Sequence, residues 1–365
     1  MKIAILSMQR VINFGSVLQA YSLQKILEKI SNEPVQFIDI DESHVCFSKK
    51  TVCEEAETGA PKVLSNSVFA RAKRKLIKKL SSLNKKKITK FMAETLKLTE
   101  DNQKDSYDLV VVGSDEVFNH RHGVNLQLHG DVKQAKNVIS YAASAGSAML
   151  EDISAEDRSV VREAMAHFAA VSVRDTATEK YAQALYDGEV QHHLDPVLVG
   201  DLAERRHRRV WLKNYLLVYA YGHRIKTAEE IDAIQKYARD RGLKIVAMGG
   251  SQPWCDLYIP ASPFRLLDYF YYADAVVTDT FHGTIFSVIN RKRFAVIVRN
   301  TNGNKLRGLL EDLTLQSREV QNMDRLAEVL DAPIDYQPVE EIRAREKQRA
   351  HTYLETELTR YQNGN

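Results

Sequence analysis

Cysteine is scarce in this 365-residue chain: Cys46, Cys53 and Cys255 are odd in number and widely spread, with neither a CxxC pair nor a Cys/His cluster at ligand spacing. A disulfide framework and a structural zinc are therefore not expected, and the residues give no support for metal dependence. Long apolar runs are missing as well. None approaches the ~18 residues that a membrane span needs. The opening stretch Met1 to Met8 enters a strand-like pattern without the apolar core and small-residue cleavage site of a secretory signal, so the expected location is the cytoplasm. No internal repeat is visible, and the turn around Gly15 lacks the GxGxxG spacing of dinucleotide folds. A net charge of +3 predicts little by itself. Apolar residues at 44% and charged residues at 27% are ordinary for a soluble globular protein, and the length fits two domains.

What the chain does have is a strand–helix alternation that runs twice. Apolar runs at Ile3–Ser7, Val35–Ile40, Leu109–Val112, Val138–Ala142 and Ala170–Val173 predict buried strands, with helices over Val17–Ile30, Ala155–Phe168 and Thr176–Leu185. Pro196 after Asp195 marks a turn that closes this half. After a charged linker at 201–209 the pattern restarts with strands at Leu216–Ala220, Lys244–Met248 and Phe294–Val298 and helices at Ala228–Asp240 and Phe264–Tyr272. The aromatics Tyr269 to Tyr272 read as core rather than as a sugar platform. The expected architecture is α/β, with two Rossmann-like domains facing a cleft as in GT-B glycosyltransferases: 1–200, carrying a basic helical insertion at about 43–105, and 210–335. A polar helix over 338–365 is expected to pack back across both.

Residues suited to chemistry sit at the predicted strand ends, where α/β proteins bind ligands. Ala275–Val277 runs into Thr278-Asp279-Thr280-Phe281-His282-Gly283 and then a buried helix, which puts His282 beside the unpaired N–H groups of a helix start. In Asn13-Phe14-Gly15-Ser16, Gly15 permits close backbone approach and Ser16 is the expected N-cap. Gly113-Ser114-Asp115-Glu116 ends another strand in small and polar residues. Arg174 ends a further one, with a planar fork suited to a carboxylate or phosphate or, more plainly, to an ion pair with Asp175. Between Arg71 and Lys90 there is no acidic residue, and Leu76, Ile77, Leu80 and Leu83 give the segment an apolar face. Such a helix can meet anionic lipid or lie as a solvated insertion. Nucleic acid is not expected there, because aromatic residues stand only at its borders, Phe69 and Phe91.

Five segments, NFGSVLQAYSLQ, DLVVVGSDEVFN, SYAASAG, VSVRD and ADAVVTDTFHGTIFSVIN, resemble the polysaccharide pyruvyl transferase family in content and order. The resemblance implies a GT-B-like fold and transfer of pyruvate from phosphoenolpyruvate to two hydroxyls of a sugar in a bacterial surface or exopolysaccharide, forming a cyclic ketal and releasing phosphate. It implies no cofactor beyond the donor, and a sugar or lipid-linked oligosaccharide as acceptor. Arg174 and His282 match the positions associated with donor binding and catalysis, His282 as acid toward the enol or as phosphate partner. Asp115 and Asp279 are candidate bases or orienters for the sugar hydroxyls, with Asp279 as readily a brace for its turn. Asn13, Gly15, Ser16, Gly113, Ser114, Thr280 and Gly283 complete the expected binding set. The chain departs from the pattern at Lys305, ahead of Leu309-Leu310, where members often show Arg; lysine lacks the bidentate fork. Two other readings stay open on the same fold: a nucleotide-sugar glycosyltransferase, and a catalytically silent glycan-binding member of a polysaccharide assembly complex.

Overall fold

The computed structural model describes residues 1–46, 68–99, 105–121, 123–222, 224–300 and 302–362. Cys53 and residues 47–67 and 100–104 of the predicted insertion lie outside the described residues. The first half runs β1 (Ile3–Leu6), α1 (Phe14–Ser31), β2 (Val35–Ile38), β3 (Val45–Cys46), α2 (Val68–Glu94), β4 (Tyr107–Asp115), β5 (Val124–Asn125), β6 (Ala135–Ala143), α3 (Ala155–Met165), β7 (Phe168–Val173), α4 (Thr176–Leu185), β8 (Val190–His192) and α5 (Pro196–Val199). The second runs β9 (Tyr215–Ala220), α6 (Ala228–Asp240), β10 (Lys244–Gly249), β11 (Leu257–Tyr258), α7 (Pro263–Tyr272), β12 (Ala275–Thr278), α8 (Phe281–Ile289), β13 (Phe294–Val296), α9 (Gly303–Asp312), α10 (Leu326–Asp331) and α11 (Gln337–Gln362).

Each half builds one parallel sheet, in the orders β2-β1-β4-β6-β7-β8 and β11-β10-β9-β12-β13. The central strands are buried along their whole length, β1, β9 and β12 at every residue, because helices cover both faces of a parallel sheet. Strand order reverses between β1 and β4 in one sheet and between β9 and β12 in the other. Such switch points leave a crevice at the strands' carboxyl ends. Apolar packing is continuous from α1 and α5 through α7 and α8, so the two Rossmann-like units share one core cluster. Before α11, the Tyr336 hydroxyl donates to the Lys292 carbonyl of the second unit; within it, Arg343 Nε donates to Leu198 O and the Tyr353 hydroxyl to Ser140 O, both of the first.

Several boundaries differ from the sequence reading, each for a local reason. Helix α1 begins at Phe14, because Asn13 rather than Ser16 is its N-cap, with Asn13 Oδ1 accepting from Gly15 N at 2.7 Å. Strand β4 extends to Asp115, since the β6 ladder continues through Gly113 opposite Tyr141 and Asp115 opposite Ala143. Gly113 and Ser114 are thus ladder residues and not a ligand loop. A Cβ on Gly113, at φ 122°, would meet Tyr141 O at 2.3 Å, and the buried Ser114 hydroxyl donates to Ala142 O. Tyr271 and Tyr272 at the end of α7 are exposed, unlike the buried Tyr269 and Phe270. The helical period turns them outward once the chain leaves the core.

Candidate active-site cleft

Both switch points open on one cavity of about 210 Å³, whose lining includes Asn13, Ser16, Asp115, Glu116 and Arg174 from the first unit and Tyr221, Thr280, His282 and Lys305 from the second. A larger groove of about 940 Å³ elsewhere lies against the carboxyl end of α8, at Ile289 to Lys292. That end of a helix repels anions, and the groove's Arg343 and Lys347 are already committed to Glu340, Asp201 and Glu204. The smaller cavity is the one that gathers the strand-end residues.

Helix α8 supplies His282 at its second position. The chain leaves β12 and is capped by Thr280, whose hydroxyl accepts from Gly283 N at 2.9 Å. The first two N–H groups, of Phe281 and His282, are ones a helix cannot satisfy itself. Gly283 faces the strand and not the cleft: a Cβ there would stand 2.1 Å from Thr278 Oγ1. Across the cavity, α1 comes so close that a Cβ on Gly15 would stand 2.2 Å from His282 Nδ1. Gly15 therefore seats the imidazole rather than a substrate.

Arg174 leaves β7 with its backbone N–H on Ala143 O and its guanidinium buried. Nη1 donates to Asp195 Oδ2 at 2.9 Å, Nη2 lies 3.6 Å from Asp115 Oδ1, and the guanidinium sits 4.4 Å over the Phe281 ring. His282 Nε2 reaches the same Asp195 oxygen at 3.5 Å. Asp195 thus joins the Arg of one unit to the His of the other. It is held by its place as N-cap of α5, accepting from Val197 N at 3.0 Å. Burial opposes the charge on Asp195, but His282, Arg174 and the Val197 N–H together hold its carboxyl below the usual range. The Ser16 hydroxyl donates to Asp115 Oδ2 at 2.6 Å, leaving Asp115 between a hydroxyl and a guanidinium.

Glu116 and Lys305 close a second bridge across the cavity as a direct ion pair, with Asn119 Nδ2 donating to the other Glu116 oxygen at 2.7 Å. Burial acts against the Glu116 carboxylate, yet Lys305, Asn119 and Arg174 hold it at about 2 rather than 4.5. Of the two roles open to Asp279, orienter of a sugar hydroxyl or brace of its turn, its surroundings favour the second. Its carboxylate is fully buried outside the cleft lining, 3.2 Å from Arg224 Nε and 3.7 Å from Arg299 Nε, and its carbonyl accepts from Asn302 Nδ2. Desolvation pushes its carboxyl up despite both arginines. It braces the turn.

Of the expected site, Asn13, Ser16, Asp115, Arg174, Thr280 and His282 converge on the cleft, with Gly15 against the His ring. Gly113, Ser114, Gly283 and Asp279 do not line it. Glu116, read from the sequence only as part of a polar strand end, lines the cleft too. Residues that sequence reasoning passed over include Tyr221 and the α2 pair Asn84 and Ile88 in the lining, and Asp195 behind it. Of these only Asp195 carried a signal, the Asp-Pro pair of a helix start.

Two parallel sheets with facing switch points and a charged cleft between them define an α/β protein of GT-B architecture. Within that class the chain belongs to the polysaccharide pyruvyl transferase family, whose model matches residues 13–301, and so to a family of transferases. No curated protein matches the sequence significantly. Among solved structures, an S. aureus MnaA–UDP complex is similar at 12% identity and a TM-score of 0.51, over 98% of this chain and 97% of that one. A putative UDP-N-acetylglucosamine 2-epimerase from Listeria monocytogenes is similar at 11% identity and 0.50, over 98% and 97%. A mutant O-GlcNAc transferase from Thermobaculum terrenum is matched at 11% identity and 0.42; 97% of this chain spans 64% of that one. At these identities the likeness is one of fold.

Proposed function

We propose that the chain transfers pyruvate from phosphoenolpyruvate to two hydroxyls of a sugar in a polysaccharide or its lipid-linked precursor. The observation that carries this reading is the convergence of Arg174 and His282, from opposite units and both lining the cleft, on the buried Asp195 behind its wall. A donor with a carboxylate and a phosphate needs a fixed guanidinium, further cations and a helix N-terminus. Arg174, Lys305 and the start of α8 provide those three within one cavity.

In this reading the enol methylene takes a proton, and the resulting oxocarbenium carbon is attacked by the first hydroxyl, which gives up its proton. A second hydroxyl then forms the other C–O bond as the bond to phosphate breaks, its proton passing to the departing phosphate. His282 acts as the acid for the enol or as partner of the leaving phosphate, and Asp115 accepts a hydroxyl proton. Asp195 holds the guanidinium and the imidazole in register and does not itself react. A ligand carboxylate replaces Asp115 on Arg174, which frees Asp115 for the acceptor.

Phosphate release from phosphoenolpyruvate in the presence of glycan acceptor, with ketal formation followed by mass spectrometry, tests the reading. His282→Ala and Arg174→Ala are each expected to lower it by at least ~100-fold. Thermal stabilisation by phosphoenolpyruvate and not by UDP separates this activity from nucleotide-sugar transfer. Full activity in both variants sinks the assignment of Arg174 and His282, whereas no phosphate release by the wild-type protein with any glycan acceptor sinks the transfer reading and favours a glycan-binding role.

A further inference from the structure

Helix α2 is more than a solvated insertion. Along one side Asn84, Ile88 and Phe91 are buried; Asn84 Oδ1 accepts from Ala261 N of the second unit, Lys87 Nζ donates to Pro260 O, and Asn84 and Ile88 line the cleft. The helix therefore spans from its own unit to the other at the edge of the cavity. Its opposite side presents Lys75, Lys79, Lys86 and Lys90, spaced four, seven and four residues apart and so on one face, all exposed. Leu76 and Leu83 flank that row, 55% and 39% exposed.

A second basic segment, distant in sequence, joins α2 through α7. Phe91 of α2 meets Phe264 of α7 edge-on at 5.0 Å, and Arg205 lies over the same Phe264 ring. Arg265 of α7 then grips the carbonyls of Arg208 and Arg209, each at 2.8 Å. The chain so held carries Arg208, Arg209 and Lys213 exposed around Trp211, which is 71% exposed. A whole-chain charge of +3 means that this basicity is local, a directional field and not a general one.

We infer that the lysine face of α2, together with the Trp211 segment, docks on an anionic lipid bilayer and holds the cleft edge against a membrane-anchored acceptor. Clustered ammonium groups are drawn to an anionic leaflet, and exposed leucines beside them insert at the headgroup boundary, where tryptophan also settles. Nucleic acid would call for successive bases stacked on several aromatics interleaved with the cations; the α2 face has none and the second segment has Trp211 alone. The lipid contact rests on surface residues alone; the part concerning the acceptor rests on the pyruvyl transfer proposed above.

The test is co-sedimentation of the full chain with phosphatidylcholine vesicles, with and without phosphatidylglycerol, at low and high salt, alongside Trp211 fluorescence. Binding to the anionic vesicles alone, lost at high salt, with a blue shift absent from Trp211→Phe, is the expected result. A variant with Lys75, Lys79, Lys86 and Lys90 all changed to Gln should partition at least ~10-fold less. Its turnover should fall on vesicle-embedded acceptor and stay within ~2-fold of wild type on a soluble acceptor. Absence of wild-type vesicle binding, equal binding to both vesicle types, or retention by duplex DNA instead overturns the docking surface, whatever the folding of the variant. Vesicle binding with no activity on either acceptor leaves the docking intact and sinks the transfer reading; equal loss on both acceptors sinks only the link between docking and acceptor.

Discussion

Gly15 and His282 belong to different units, yet the imidazole occupies the space where a Gly15 side chain would stand. Gly15→Ala should favour α1 itself, by about 1 kcal/mol, because alanine is the better helix former. The methyl must nevertheless displace the ring. Overpacking of this kind costs about 1–3 kcal/mol, so the net change in stability should be small or a modest loss. If His282 acts as proposed, phosphate release should fall ~100-fold, the cost of misplacing a catalytic group by about 1 Å. Unchanged phosphate release would mark Gly15 as simple packing. Asp195 gives the opposite signature. Asp195→Asn leaves the buried Arg174 short of its closest counter-charge and should cost about 3–5 kcal/mol, read by chemical denaturation. None of this was legible in the sequence, where Gly15 read as room for a ligand and Asp195 as a turn. Both roles depend on what lies across a cleft between residues far apart in the chain.

At the scale of elements, β12 and α8 were the most readable part of the chain. An apolar run, a Thr-Asp-Thr break and a second apolar run place a strand and a capped helix from local physics alone, and the cap proves to be Thr280. Thr280→Ala should destabilise by about 1 kcal/mol through loss of that cap, visible as a lower melting temperature. Phosphoenolpyruvate should still raise the melting temperature of this variant, because the Phe281 and His282 N–H groups proposed to meet the anion do not depend on that cap. Helix α1 shows where the same local rule slips. Asn13 and Ser16 are both good caps; Asn13 takes that place while the Ser16 hydroxyl is drawn to Asp115 at the end of β4. The end of β4 slipped similarly, since Gly113 and Ser114 look like a loop until β6 is laid beside them.

For the whole molecule, the two units meet through charge as well as core packing. Lys305 and Glu116 bridge the cleft, and the Glu116 carboxyl sits at about 2 in the folded state against the usual 4.5. A folded value below the unfolded one stabilises fully above pH 4.5 and is lost as pH falls toward 2. Melting temperature measured between those limits should therefore drop less steeply in Glu116→Gln than in wild type. If Lys305 faces the donor phosphate as proposed, Lys305→Met, which keeps the stem and removes the charge, should raise KM for phosphoenolpyruvate by ~10-fold or more. An unchanged KM would confine Lys305 to bridging. What the sequence determined by itself was the local and periodic: buried parallel strands, the helices between them, the polar strand ends, and Arg174 and His282 as residues of the right chemistry. Tertiary structure alone decided which strand ends share a cavity, that Asp195 ties the arginine to the histidine, and that Gly113, Ser114, Gly283 and Asp279 serve the scaffold. The reason is physical: periodicity and capping act over a few residues, whereas a side chain's partner in a cleft is set by how two sheets pack.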